Sequence, residues 1–166
     1  MKFTFHAFFL LLLAVLQATL MDAIAVFGAK PNLFLIYVVV YSLMCEKKEA
    51  AAVGACFGLT LDILTGRFLG ANSILMLITG FFTAHLCENI LSRNNLLISA
   101  IITILFTAVY ESVYYLFTFS ILKNLQFGIV FARVLGCECL YNAVFSVIFY
   151  FIIKRFSEYT AKNIAL

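Results

Sequence analysis

Along the chain, long apolar runs alternate with short polar clusters, and the runs predict six helices. They fall at about 5–21, 32–45, 50–64, 71–87, 96–122 and 127–153. The breaks carry the punctuation: Lys30-Pro31, Glu46-Lys47-Lys48-Glu49, Thr65-Gly66-Arg67, Ser92-Arg93-Asn94-Asn95, Lys123-Asn124 and finally Lys154-Arg155. Within each run the apolar residues are continuous rather than alternating, which disfavours strand, and an open sheet edge in lipid would leave backbone groups unpaired. Breaks this short make neighbouring helices antiparallel. The pattern predicts one all-α domain over residues 1–166, a polytopic transmembrane helical bundle of about six spans.

Composition narrows the solvent. Hydrophobic residues make up 65% of the 166 and charged residues 11%, against roughly 45–50% and 25% in a soluble domain. There are too few polar side chains to coat a water-facing surface, and a hydrocarbon solvent removes the need for one. Lys2 before an apolar stretch has the look of a secretory leader, but the stretch exceeds an ordinary leader core and five more runs follow, so it reads as a retained first helix. Lys2, Lys47, Lys48, Arg93, Lys154, Arg155 and Lys162 fall on the side of the N-terminus, and only Lys30, Arg67 and Lys123 on the other. Seven against three in short loops places both termini in the cytoplasm. The net charge of +3 is spread over these loops, so nucleic acid is not suggested. The second and third runs hold about fifteen residues between polar ends, roughly 22 Å of helix against a ~30 Å hydrocarbon core. They are expected either to snorkel their flanking charges or to form a short hairpin inside the bundle.

Candidate chemistry is sparse. Cys45, Cys56, Cys87, Cys137 and Cys139 are odd in number and match no zinc or disulfide spacing, so they read as small packing residues. Ser, His and Asp form no hydrolytic constellation, and neither a phosphate-cradling loop nor a metal motif occurs, so no catalytic residue, metal or cofactor is expected. What stands out is a small-residue stripe. Ala50, Gly54, Gly58 and Asp62 recur every four residues, with Gly66 and Gly70 continuing the count. Such a stripe lets another helix backbone approach closely, within the chain or from a partner. Asp62, Glu111, Arg133 and Glu138 are the ionisable groups inside the runs. Each is expensive in lipid if unpaired, so they predict a buried charge network that fixes the bundle, with Arg133 neutralised first by Glu111. By count, Glu111 and Glu138 lie eleven residues from the ends of their runs, about 16 Å in.

Pro31-Asn32-Leu33, then Gly54 and Gly58-Leu59 leading to Asp62, then Gly66 to Gly70 and an apolar run to Gly80, resembles the rod shape-determining protein MreD family. The likeness covers about residues 30 to 90. It implies a non-enzymatic multi-pass scaffold of the bacterial inner membrane, within the cell-elongation machinery. The implied partners are an MreC-like membrane protein and, indirectly, an MreB-like filament with the glycan polymerase and transpeptidase of lateral peptidoglycan synthesis. Substrate-binding subunits of energy-coupling-factor vitamin transporters have the same size and span count. That alternative requires a ligand pocket near the outer face, which Asp62, Arg133 and Asn142 are placed to line.

Overall fold

The computed structural model describes residues 2–21, 23–25, 29–66, 69–89, 95–122 and 127–164, with side chains over 4–21, 23–25, 29–66, 69–88, 95–116 and 135–158. The described residues form α1 (Lys2–Thr19), α2 (Leu33–Ser42), α3 (Lys47–Thr65), α4 (Ala71–Asn89), α5 (Leu96–Leu122) and α6 (Phe127–Ile164), with no strand among them.

The bundle is built around α2. Its sequence LFLIYVVVYS is apolar on every face, and a helix of that kind must be enclosed. All ten of its residues are buried, and it packs against α1, α3, α4, α5 and α6. Asn32 caps its start by accepting from Leu35 N at 3.1 Å. At its end the Ser42 hydroxyl turns back onto the Val38 carbonyl at 2.6 Å. Ten residues make about 15 Å, half a hydrocarbon thickness.

The third helix is longer than its apolar run. Expected over 50–64, it begins at Lys47 and spans 19 residues, about 28 Å. Lysine and glutamate are good helix formers, so the polar cluster marks a change of solvent and not a helix end. Ala50 N already donates to Glu46 O at 2.9 Å. The fourth helix is also 19 residues long, and the two make the most extensive helix pair in the protein.

Glycine makes that pairing close. A Cβ on Gly54 would strike the Met76 carbonyl, one on Gly58 the Asn72 carbonyl, and one on Gly80 would stand 2.6 Å from Ala50 O. The loop relies on glycine differently. Gly66 closes α3 at φ 62° and Gly70 leads into α4 at φ 97°, both in the left-handed region and both with open space around a would-be Cβ.

At the end of the bundle holding Phe5 and Phe156, polar groups pair off. His6 Nδ1 and the Tyr37 hydroxyl share a 2.8 Å hydrogen bond, Tyr41 donates to Glu49 at 2.8 Å, and Lys47 meets Glu88 at 2.8 Å. Elsewhere the polarity is inside-out. On α5, Ser99, Thr103 and Thr107 are buried while Leu97, Ile101 and Leu105 are exposed; on α6, Asn142 and Ser146 are buried while Leu140, Val144 and Ile148 are exposed. Polar groups turned inward and large apolar ones outward suit a surface solvated by lipid. By length and apolarity, Leu96–Leu116 and Leu135–Glu158 are the segments long enough to cross a membrane among the described residues, with Thr4–Thr19 and Leu33–Ser42 apolar but shorter. Asp62, Asn72, Thr79 and Thr83, polar residues within α3 and α4, are all buried.

Candidate functional site

At the opposite end, polar side chains tie down the α1–α2 and α3–α4 connections. Asp62, fully buried near the end of α3, accepts from Gly70 N at 2.9 Å and Ser73 N at 3.1 Å through Oδ2, and from Asn72 N at 3.0 Å through Oδ1. These are first-turn donors of α4 and its lead-in, which have no partner inside their own helix. A carboxylate from the neighbouring helix therefore caps α4. The α1–α2 connection is fixed by two amides. Gln17 on α1 donates to Pro31 O at 3.1 Å and accepts from Leu33 N at 2.9 Å. Asn142 on α6 accepts from Asn32 N at 3.0 Å and donates to Thr107 on α5 at 3.1 Å.

These anchors set a floor for a cavity of about 470 Å³. Its lining includes Gln17, Lys30, Asn32, Thr65, Asn72, Tyr110, Tyr114, Glu111 and Glu138, with Ala18, Leu61 and Leu64 as apolar members. The side chains of Glu111 and Glu138 lie beside each other across the α5–α6 contact, and Lys30 is within electrostatic reach of Glu138. Tyr110 donates to Asn72 Oδ1, joining the capped start of α4 to α5. The arrangement holds a cation, a carboxyl pair, amides and phenols in one concave space. No group of three or more metal-ligating side chains occurs among the described residues.

The residues singled out from sequence separate here. Glu111 and Glu138 come together. Asp62 stands apart, bonded to backbone donors. The side chain of Arg133 lies outside the described residues, among which Lys30 is the cation beside the pair. Gly54 and Gly58 face α4, while Gly66 and Gly70 shape the loop above Asp62. Neither Asp62 nor Asn142 lines the cavity; they hold Asn72 and Asn32, which do.

A family model described as rod shape-determining protein MreD matches residues 1–160 of the 166. The chain belongs to the MreD family. No curated protein and no solved structure matches it. Membership makes this MreD chain a membrane-associated, shape-determining structural protein with a rod shape-determining role. Its α5 and α6 continue beyond the level of Glu111 and Glu138 to Leu122 and back from Phe127, eleven residues on each strand of the hairpin and about 16 Å. The glutamates are thus far from their helix ends, yet level with the ends of α3 and α4.

Sequence reasoning missed Lys30, assigned to a loop as a topology signal, and the tether Gln17. A readable signal did exist for the α5–α6 seam. Ser99, Thr103, Thr107 and Glu111 recur every four residues, as do Glu138, Asn142 and Ser146, so each set forms one polar stripe on an otherwise apolar helix.

Proposed function

We propose that this chain is a six-span, non-catalytic scaffold of the bacterial cytoplasmic membrane, with both termini in the cytoplasm. In this reading it acts with an MreC-like membrane protein in lateral wall synthesis, and through it with an MreB-like filament, a glycan polymerase and a transpeptidase. The observation that carries the proposal is the family match over residues 1–160. Two features support the membrane placement. The inside-out polarity suits lipid, and Lys47 and Lys154 lie at the same end as Phe5 and Phe156 while Lys30 lies at the other. The 28 Å of α3 and α4 match a hydrocarbon core, so the cavity falls at the outer interface. Beyond it, the last eleven residues of α5 and the first eleven of α6 rise past the other helices and offer a partner a helical hairpin.

The decisive experiment is clean deletion in a rod-shaped host without a second copy, paired with co-purification of the MreC-like protein. Rounded cells restored by the gene, together with recovery of the complex, are the expected result. Normal rods after deletion refute it. The cavity favours a second reading, a substrate-binding transporter subunit, because that function requires an outward-facing pocket. Unchanged shape with lost uptake of one small nutrient is the result belonging to that reading.

A further inference from the structure

The cavity at the outer interface has a lining whose charges come from different elements. Lys30 on the α1–α2 connection contributes an ammonium, and Glu111 on α5 and Glu138 on α6 contribute a neighbouring pair of carboxyls. A lining with both signs present complements a ligand that is itself zwitterionic, because a pure anion meets the carboxyl pair and a pure cation meets the lysine.

Position and shape narrow the class further. The cavity lies where α3 ends at Thr65 and α4 begins near Asn72, the depth at which headgroups meet hydrocarbon. Leu61 and Leu64 belong to its lining, and Leu64 is also exposed, beside exposed Ile63. An apolar track thus leaves a polar chamber along the outside of α3. A volume of about 470 Å³ accepts a headgroup and glycerol but not acyl chains, which leave by that track.

We propose that the cavity binds the headgroup of a phosphatidylethanolamine-type lipid, its ammonium on the Glu111–Glu138 pair and its phosphate on Lys30. A primary ammonium has three N–H donors for carboxyl oxygens, whereas a choline group has none and a glycerol headgroup has no cation. The proposal rests on the bilayer placement given above but not on the scaffold role.

The test uses the full-length protein purified in detergent. Native mass spectrometry compares dimyristoyl phosphatidylethanolamine, phosphatidylcholine and phosphatidylglycerol at equal concentration, with free phosphoethanolamine as a separate arm. The ethanolamine lipid is expected to be retained about tenfold more than the other two, as loss of one charge-assisted contact implies. The double variant Glu111→Gln/Glu138→Gln is expected to abolish that preference, Lys30→Met to lower retention of all three lipids through their shared phosphate, and Lys47→Met at the other end to change neither. Equal retention of the three lipids overturns the proposal, as does preference surviving in the glutamate double variant or retention unchanged in Lys30→Met. Free phosphoethanolamine binding as tightly as the lipid overturns the lipid as its source. If the cavity variants do not fold, the headgroup ranking of the unaltered protein decides alone. Complementation of cell shape is read separately: a failed ranking with restored rods refutes only the lipid site, and a confirmed ranking with unaffected rods refutes only the scaffold.

Discussion

Removing the Asp62 carboxylate should open the α3–α4 hairpin at its loop. Three backbone donors converge on it: Gly70 N at 2.9 Å, Asn72 N at 3.0 Å and Ser73 N at 3.1 Å. Each buried donor left without an acceptor costs about 1–3 kcal/mol. Asn72 is buried, but Gly70 and Ser73 are half-buried, so water takes over part of their bonding. Asp62→Ala is therefore expected to lose about 3–5 kcal/mol. Asp62→Asn can keep the two bonds of Oδ2 but turns an amide toward the Asn72 N–H, donor against donor, and should lose about 2 kcal/mol. Unfolding in mixed micelles titrated with dodecyl sulfate, followed by circular dichroism, ranks the three proteins. Asp62→Ala within about 1 kcal/mol of the unaltered protein would refute the capping role, since that is less than one orphaned donor. The reverse order, with Asn worse than Ala, would show that bulk and not hydrogen bonding governs the site.

Gly58→Leu should force α3 off α4, because even a Cβ meets the Asn72 carbonyl; the expected loss is at least the 1–3 kcal/mol of an overpacked core, read as the folded fraction on size exclusion. Normal accumulation of monodisperse protein would refute the close approach. Asn142→Ala leaves the Asn32 N–H without its acceptor and should cost about 1–3 kcal/mol. Because the same amide donates to Thr107, the Asn142→Ala/Thr107→Val double variant should lose less than the sum of the singles, and strict additivity counts against one connected network. For topology, a single cysteine at Lys48 in a cysteine-free background should be shielded from an impermeant thiol reagent in intact cells, and one at Leu69 should react. Labelling at 48 from outside would reverse the orientation.

Helix identity was legible in the sequence because apolar runs are unambiguous, and the bounds of α5 emerged as read, 96–122. The error lay where polarity was equated with a helix end: Lys47–Glu49 belong to α3 and lengthen it to 19 residues. Depth was misjudged for a related reason. Counting from Leu122 and Phe127 put Glu111 and Glu138 deep in the bundle, whereas α5 and α6 outrun the other helices and leave the glutamates at cavity level. The glycine stripe was visible, but which helix it meets is a three-dimensional fact that spacing does not contain. Lys30 escaped because a lysine beside a proline resembles a loop marker, and its proximity to Glu138 spans 108 residues of sequence.

The enclosure of α2 constrains the order in which the chain can be completed at the translocon. When α2 emerges, α3 to α6 have yet to be made, and a 15 Å segment capped by Asn32 cannot rest across a bilayer unaided. Its wrapping arrives with α3 and α4, yet the Asn32 amide waits for Asn142, which is synthesised 110 residues later. A nascent chain ending after α4 holds a core helix with one flank open and an unanswered donor at its head. The bundle therefore closes only when α6 docks, and quality-control proteases are presented with an incomplete substrate until that moment. Truncations within α6 that remove Asn142 should be degraded, whereas those that end beyond Ile153, the last fully buried residue among those described in that helix, should persist.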